Sequence, residues 1–108
     1  MTVSFIVVAL NAEKTIKSLL EDLNNQTYPH KDIQLIFVDS LSTDKTLKIL
    51  NNFKKDYENE YMSVSIKNNP KKILPCGWNI ALKEVLGDVV LRVDAHSHIP
   101  EDFIEKNV

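Results

Sequence analysis

A chain of 108 residues, 44% hydrophobic and 26% charged, reads as one soluble globular domain with a modest core, not as a disordered segment. Its formal charge of −2 gives no global attraction for nucleic acid or for an anionic membrane. Cys76 is alone, which excludes an internal disulfide. The longest apolar run, Phe5 to Leu10, is too short to span a bilayer and has no basic segment ahead of it, so it is a poor secretory signal. A cytoplasmic location is the default expectation, with any membrane attachment left to a missing C-terminal part of a longer parent.

Val3 to Ala9 is β-branched and almost continuously apolar, as a strand covered on both faces is. Asn11 is placed to cap a following helix whose stripe is Ile16, Leu19, Leu20 and Leu23. A turn-rich loop, Asn24 to Pro29, leads to a second buried strand, Ile33 to Val38, closing at Asp39. Ser42 and Thr43 are cap candidates for a second helix with Leu47, Leu50, Phe53 and Tyr57 inward. Met62 to Ile66 alternates polar and apolar residues, as a strand near a sheet edge does. Pro75 fits only the first turn of a third helix, whose stripe is Trp78, Ala81, Leu82 and Val85, with Gly87 as its C-cap. Val89 to Val93 is a fourth strand that stops at Asp94, and Pro100 to Lys106 begins a further helix.

Strands alternating with helices make a Rossmann-like, three-layer α/β/α parallel sheet, in one domain over residues 1–108. In such sheets ligands sit outside the carboxyl ends of the strands, where strand order reverses. Those ends carry Ala9-Leu10-Asn11, Asp39, Asn68-Asn69 with Lys71 and Lys72 after them, and Asp94 with His96. In an extended chain residues two apart share a side, so Asp94 and His96 suit a divalent cation. The chain has two glycines, none of them in a turn after the first strand, and no Gly-Lys-Ser/Thr element. Phosphate neutralisation therefore falls to a metal and to lysine.

Taken together, Ser4 to Glu13, Gln26-Thr27-Tyr28-Pro29, Val38 to Asp44, Gly77-Trp78-Asn79 and Asp94-Ala95-His96 follow the motif order of glycosyltransferase family 2. The sequence resembles these nucleotide-sugar-dependent enzymes of the GT-A fold over nearly its whole length. Asp-Ala-His-Ser after Arg-Val looks most like the succinoglycan-biosynthesis type. The resemblance implies a sugar transfer from a UDP-sugar to a sugar or lipid-linked acceptor in polysaccharide biosynthesis. It implies that Val8, Ala9, Leu10 and Asn11 line the base and ribose, and that Asp39 accepts a hydrogen bond from the base. Asp94 and His96 would hold Mn²⁺ or Mg²⁺ against the diphosphate, with Lys72 and Asn79 near the donor.

Several positions depart from the family's pattern. Val8 and Leu10 replace its usual Pro and Tyr, Asp39-Ser40-Leu41 replaces Asp-Asp-Gly, and Trp78 stands where many members carry arginine. His96 in place of a carboxylate favours Mn²⁺ over Mg²⁺. The resemblance also implies a longer protein, with the acceptor site and the catalytic base beyond residue 108. On that reading this chain is a donor-binding fragment that does not transfer sugar alone and has no catalytic base of its own. Its last strand would be an open edge, which predicts self-association or poor stability.

Plainer readings stand beside these. Asp39 and Asn11 suit turn or cap roles as well as a ligand, Ser42 and Asp44 are helix-cap residues, and Lys71 and Lys72 suit a solvated loop. Trp78 suits the core. Asp94 to His98 also resembles the His-x-His element of barrel amidohydrolases, with His96 and His98 on one zinc ion. A non-catalytic α/β binding domain is the third reading.

Overall fold

A computed structural model describes residues 1–71 and 74–108 of the chain. Among them, β1 (Val3–Ala9), β2 (Ile33–Asp39), β3 (Ser63–Asn68) and β4 (Val89–Asp94) form one parallel sheet in the order β3-β2-β1-β4. Between and after them lie α1 (Glu13–Asn24), α2 (Thr46–Tyr57), α3 (Leu74–Leu82) and α4 (Phe103–Asn107).

Chirality fixes the layers. Crossovers between parallel strands are right-handed, so growth from β1 to β2 to β3 puts α1 and α2 on one face. The return past β2 and β1 to β4 reverses direction and puts α3 on the other. Two core clusters record this. Phe5, Val7, Leu35 and Phe37 pack with Ile16, Leu19 and Leu23 of α1 and with Leu50 and Phe53 of α2. Ile6, Val8, Ile36 and Val38 pack with Ala81, with Trp78 and Val85 against them. Every residue of β1 and β2 is buried, which is why both strands are apolar on both parities. Each fully buried Phe, Leu or Ile contributes about 1.5–3 kcal/mol to folding.

Local chemistry differs from expectation at the helix starts. Ala12 and Lys45 occupy the cap positions, with no side-chain cap of their own. The capping instead passes between the helices. Asp44 accepts the Glu13 amide at 3.1 Å and the Thr46 amide at 2.9 Å, while Glu13 Oε1 accepts the Lys45 amide at 3.1 Å. Each acid satisfies donors at a neighbouring positive helix end. Asn11, Ser42 and Thr43 lace the two loops together rather than capping.

Gly87 does not cap α3, which ends at Leu82, and Leu82 is 50% exposed rather than in the stripe. A Cβ on Gly87 would lie 2.7 Å from the Ser4 backbone nitrogen, so glycine is required by close approach to β1. The loop is pinned there: Gly87 N donates to Ser4 Oγ at 2.8 Å, and Leu86 N to Gln34 Oε1 at 2.9 Å. At the other margin, buried Gln26 donates to the Pro100 carbonyl at 2.7 Å and accepts the Ile104 amide at 3.0 Å, anchoring the segment after β4.

Candidate functional site

Register places the carboxyl ends of all four strands on one rim. Ala9 pairs with Asp39, Asp39 with Asn68, and Val8 with Asp94. Strand order reverses between β1 and β4, the position where ligands of open parallel sheets bind. Asp39 and Asp94 therefore flank β1, about 10 Å apart across two strand spacings. They leave the sheet on opposite faces. Asp39 shares parity with Leu35 and Phe37 on the α1–α2 side. Asp94 shares it with Arg92, whose guanidinium lies 5.3 Å from the Trp78 ring on the α3 side.

Asp39 is 2% exposed. Its Oδ2 accepts the Ser42 amide at 3.3 Å, and its Oδ1 has no hydrogen-bond partner. An unsatisfied oxygen so placed costs about 1–3 kcal/mol, more when charged.

The loops beside it are laced and strained. Asn11 and Leu41 both adopt left-handed backbone, with φ of 48° and 58°. Asn11 N donates to Ser42 Oγ at 2.9 Å, Thr43 N donates to Asn11 Oδ1 at 2.8 Å, and Ser40 N donates to the Ala9 carbonyl at 2.8 Å. Leu10 and Leu41 remain 42% and 41% exposed.

The chain does not continue extended past Asp94. Ser97 N donates to the Asp94 carbonyl at 3.0 Å, closing a turn, and His96 N donates to Asp94 Oδ1 at 2.7 Å. The argument that Asp94 and His96 share a strand side is thereby corrected: it is this turn that relates them. His96 Nδ1 lies 3.0 Å from Thr15 Oγ1 in the first turn of α1. With Asn11, Ala12, Glu13, Asp44 and others it lines a hollow of about 510 Å³. The Thr46 hydroxyl, bonded to Asp44 at 2.5 Å, holds the Asp44 carboxyl below the usual carboxylate range, against some desolvation. Sequence reasoning missed Thr15, and nothing in its local pattern marks it.

The remaining residues distribute as follows. The Val8 and Ala9 side chains belong to the two cores, so only their backbone faces the rim. Asn79 lines a different hollow of about 270 Å³, with Asn69, Lys71 and Cys76. Lys72 lies outside the described residues. His98 Nδ1 is 3.5 Å from Asp22 Oδ2, two turns along α1 from Thr15, so His96 and His98 do not share a metal-facing side. With the Asp-Ala-His-Ser-His element on the fourth strand of an open sheet, the barrel-hydrolase reading has no support. Among the described residues no group of three or more His, Cys, Asp or Glu could hold a metal ion, and no helix is long and apolar enough to cross a membrane. Asp94 and His96 fit a cation that draws most of its shell from a ligand's oxygens and from water.

The sequence profile described as Glycosyl transferase family 2 matches residues 4–108. A Methanococcus voltae dolichyl N-acetyl-alpha-D-glucosaminyl phosphate 3-beta-D-2,3-diacetamido-2,3-dideoxy-beta-D-glucuronosyltransferase is 31% identical over 106 residues, 98% of this chain and 32% of that protein. The poly(ribitol-phosphate) beta-glucosyltransferase of Bacillus spizizenii is 37% identical over 104 residues, 96% of this chain and 16% of that protein. Among solved structures, Staphylococcus aureus TarS 1–349 in complex with UDP superposes with a TM-score of 0.81 at 30% identity, over 99% of this chain and 31% of that one. The chain thus spans between 16% and 32% of the length of these proteins.

Proposed function

Because this chain belongs to glycosyl transferase family 2, we propose that its rim is the donor half of a glycosyltransferase, binding a UDP-sugar with a divalent cation. The fold is of the GT-A type. The observation that carries the reading is the placement of Asp39, the Asn11 loop and the Asp94–His96 turn on neighbouring strand ends at the sheet's reversal point.

In this reading the base lies over the ends of β1 and β2, where the free Asp39 Oδ1 accepts its ring N–H. Reaching that enclosed oxygen requires the 40–43 loop to shift, and Leu41 is its strained residue. The backbone from Val8 to Asn11 lines the base and ribose. The diphosphate crosses β1 toward β4, which brings it to Asp94 and His96. A bound Mn²⁺ or Mg²⁺ supplies Lewis-acid stabilisation of the departing nucleoside diphosphate. Asp94, whose Oδ1 keeps the turn closed, and His96 would hold that ion. Lys72 and Asn79 belong to the donor's periphery.

TarS has been captured with UDP and with UDP-GlcNAc, and the relatives above act on lipid-linked or polymeric acceptors, as their names state. By analogy the acceptor is a lipid-linked sugar or a polymer. The acceptor site and catalytic base are assigned to the length that the relatives have and this chain does not span. The experiment is calorimetric titration with UDP and Mn²⁺, repeated on Asp94→Ala. Metal-dependent UDP binding that Asp94→Ala abolishes is expected. UDP binding indifferent to both metal and variant overturns the metal assignment, and no UDP binding at all overturns the function.

A further inference from the structure

The starts of α1 and α2 stand side by side, and between them runs a furrow that the donor reading leaves unused. It encloses about 330 Å³ and is lined by Glu13, Lys17, Lys45, Lys48, Ile49 and Asn52. Both walls carry cations. Lys45 and Lys48 are three residues apart at the start of α2, hence on one face of it, and Lys17 comes from α1. Glu13, the acid among these residues, is already committed, because its Oε1 accepts the Lys45 amide at 3.1 Å. The lysines have no such commitment. Among the described residues the ion pairs join Lys54 to Glu58, Lys67 to Glu84, Lys106 to Asp102 and His98 to Asp22, and none engages Lys17, Lys45 or Lys48. Three ammonium groups against one engaged carboxylate make a local positive excess in a chain whose formal charge is −2. Like charges gathered this way repel one another, and a bound anion relieves that repulsion.

We propose that this furrow, beside the donor rim, is an anion site that takes a chain of linked phosphate groups. The lining selects the class. Lysine offers a point charge with three rotatable donors, which suits phosphate oxygens. A carboxylate is matched best by the arginine fork, and the furrow holds no arginine. Cations on both walls can engage several phosphates at once, where a single phosphate reaches only part of the set. A lipid surface fits less well, since it is flat and takes apolar anchors. The large apolar side chains that are exposed all lie outside this lining. Glu13 also lines the hollow beside His96, so the furrow opens next to the rim, but its chemistry does not depend on what the rim binds.

The test is calorimetric titration of this chain with tripolyphosphate in the absence of divalent metal, repeated on Asp94→Ala. Binding is expected in both, tighter than for inorganic phosphate and weakened by added salt. The triple variant Lys17→Gln, Lys45→Gln, Lys48→Gln lowers that affinity by about tenfold, the joint loss of three exposed charge contacts. All three side chains are exposed, so its thermal midpoint stays at the wild-type value. A second triple variant, Lys31→Gln, Lys54→Gln, Lys55→Gln, removes equal charge at the opposite end of the fold and keeps wild-type affinity. Equal loss in the two triple variants overturns the site, because it reports general charge attraction. Absence of tripolyphosphate binding to the wild type overturns it too, as does binding that Asp94→Ala abolishes. Loss of Mn²⁺-dependent UDP binding in the first triple variant makes the furrow part of the donor site and also overturns it. If phosphatidylglycerol vesicles capture the wild type through these lysines while tripolyphosphate does not bind, the patch belongs to a membrane and the phosphate-chain site fails. Failure of the wild type to bind UDP overturns the donor reading alone.

Discussion

Thr15 Oγ1 stands 3.0 Å from His96 Nδ1, joining the first turn of α1 to the turn after β4. The same hydroxyl is 3.2 Å from the Ala95 carbonyl and 3.3 Å from the Ala12 carbonyl, both of which only accept. When either carbonyl takes its single proton, its lone pair is left to accept an Nδ1–H from the imidazole. That tautomer leaves Nε2 bare, the state a metal ligand needs. Thr15→Val is expected to weaken Mn²⁺ binding in the presence of UDP by about tenfold or more while the thermal midpoint stays close to wild type. Thr15→Ser keeps the bond and the affinity. Calorimetric Mn²⁺ titration checks this, and unchanged affinity in Thr15→Val removes Thr15 from the site.

Asp44 couples the starts of α1 and α2 by accepting from Glu13, Thr46 and the Thr46 hydroxyl. Those bonds hold its folded pKa below the ordinary value, so in acid the unfolded chain takes up the proton first. The stabilisation is complete above the ordinary carboxylate range and is lost as pH falls through the lowered folded value. Asp44→Asn should therefore lower the thermal midpoint at neutral pH, with the deficit shrinking in strong acid. A deficit that is constant with pH would show that the carboxylate's charge is irrelevant to the capping.

Gly77 lies where α3 crosses β1. A Cβ there would stand 2.9 Å from Val8 Cγ1 and 3.2 Å from Asn69 Nδ2. Glycine to alanine in an open helix position gains about 1 kcal/mol from propensity. Here the clash opposes it, because Val8 is β-branched and fixed in a fully buried strand. Overpacking costs about 1–3 kcal/mol, so Gly77→Ala should destabilise the fold by up to about 2 kcal/mol net. Denaturant unfolding decides the sign, and a stabilised variant would show that α3 is free to move off the sheet.

The parts legible in sequence are those that one physical rule controls. Full burial of β1 and β2 requires apolar residues at both parities, and the stripe Ile16, Leu19, Leu20, Leu23 is the buried face of α1 as its period implies. The rim followed from alternation and the carboxyl-end rule, which is why Asp39 and Asp94 could be placed on it. What escaped is chemistry between segments. Capping between α1 and α2, the Thr15–His96 bond and the requirement for Gly87 each join residues about 30 to 80 positions apart, and no local window contains them. The parity argument for Asp94 and His96 failed because a turn begins where the strand ends. Leu41 was visible as a departure from glycine, but its strain and exposure belong to the folded backbone.

The opposite end of the sheet offers a control for all of these. Ser4 Oγ donates to Gln34 Oε1 at 2.6 Å and accepts the Gly87 amide, while Gln34 Nε2 donates to the Glu84 carbonyl at 2.7 Å. Ser4 and Gln34 sit at the amino-terminal ends of β1 and β2, a strand's length from the rim, and both are buried. Ser4→Ala leaves the Gly87 amide without its acceptor, while Gln34 Oε1 keeps the Leu86 amide, at a cost of about 1–3 kcal/mol. Distant sites combine additively, so the loss should appear in denaturant unfolding while UDP affinity of the folded fraction stays at the wild-type value. Thr15→Val should give the reverse pattern, metal binding lost with stability kept. If Ser4→Ala weakens UDP binding as much as it weakens the fold, the two ends of the sheet are mechanically coupled, and the separation of a stabilising pole from a binding pole fails.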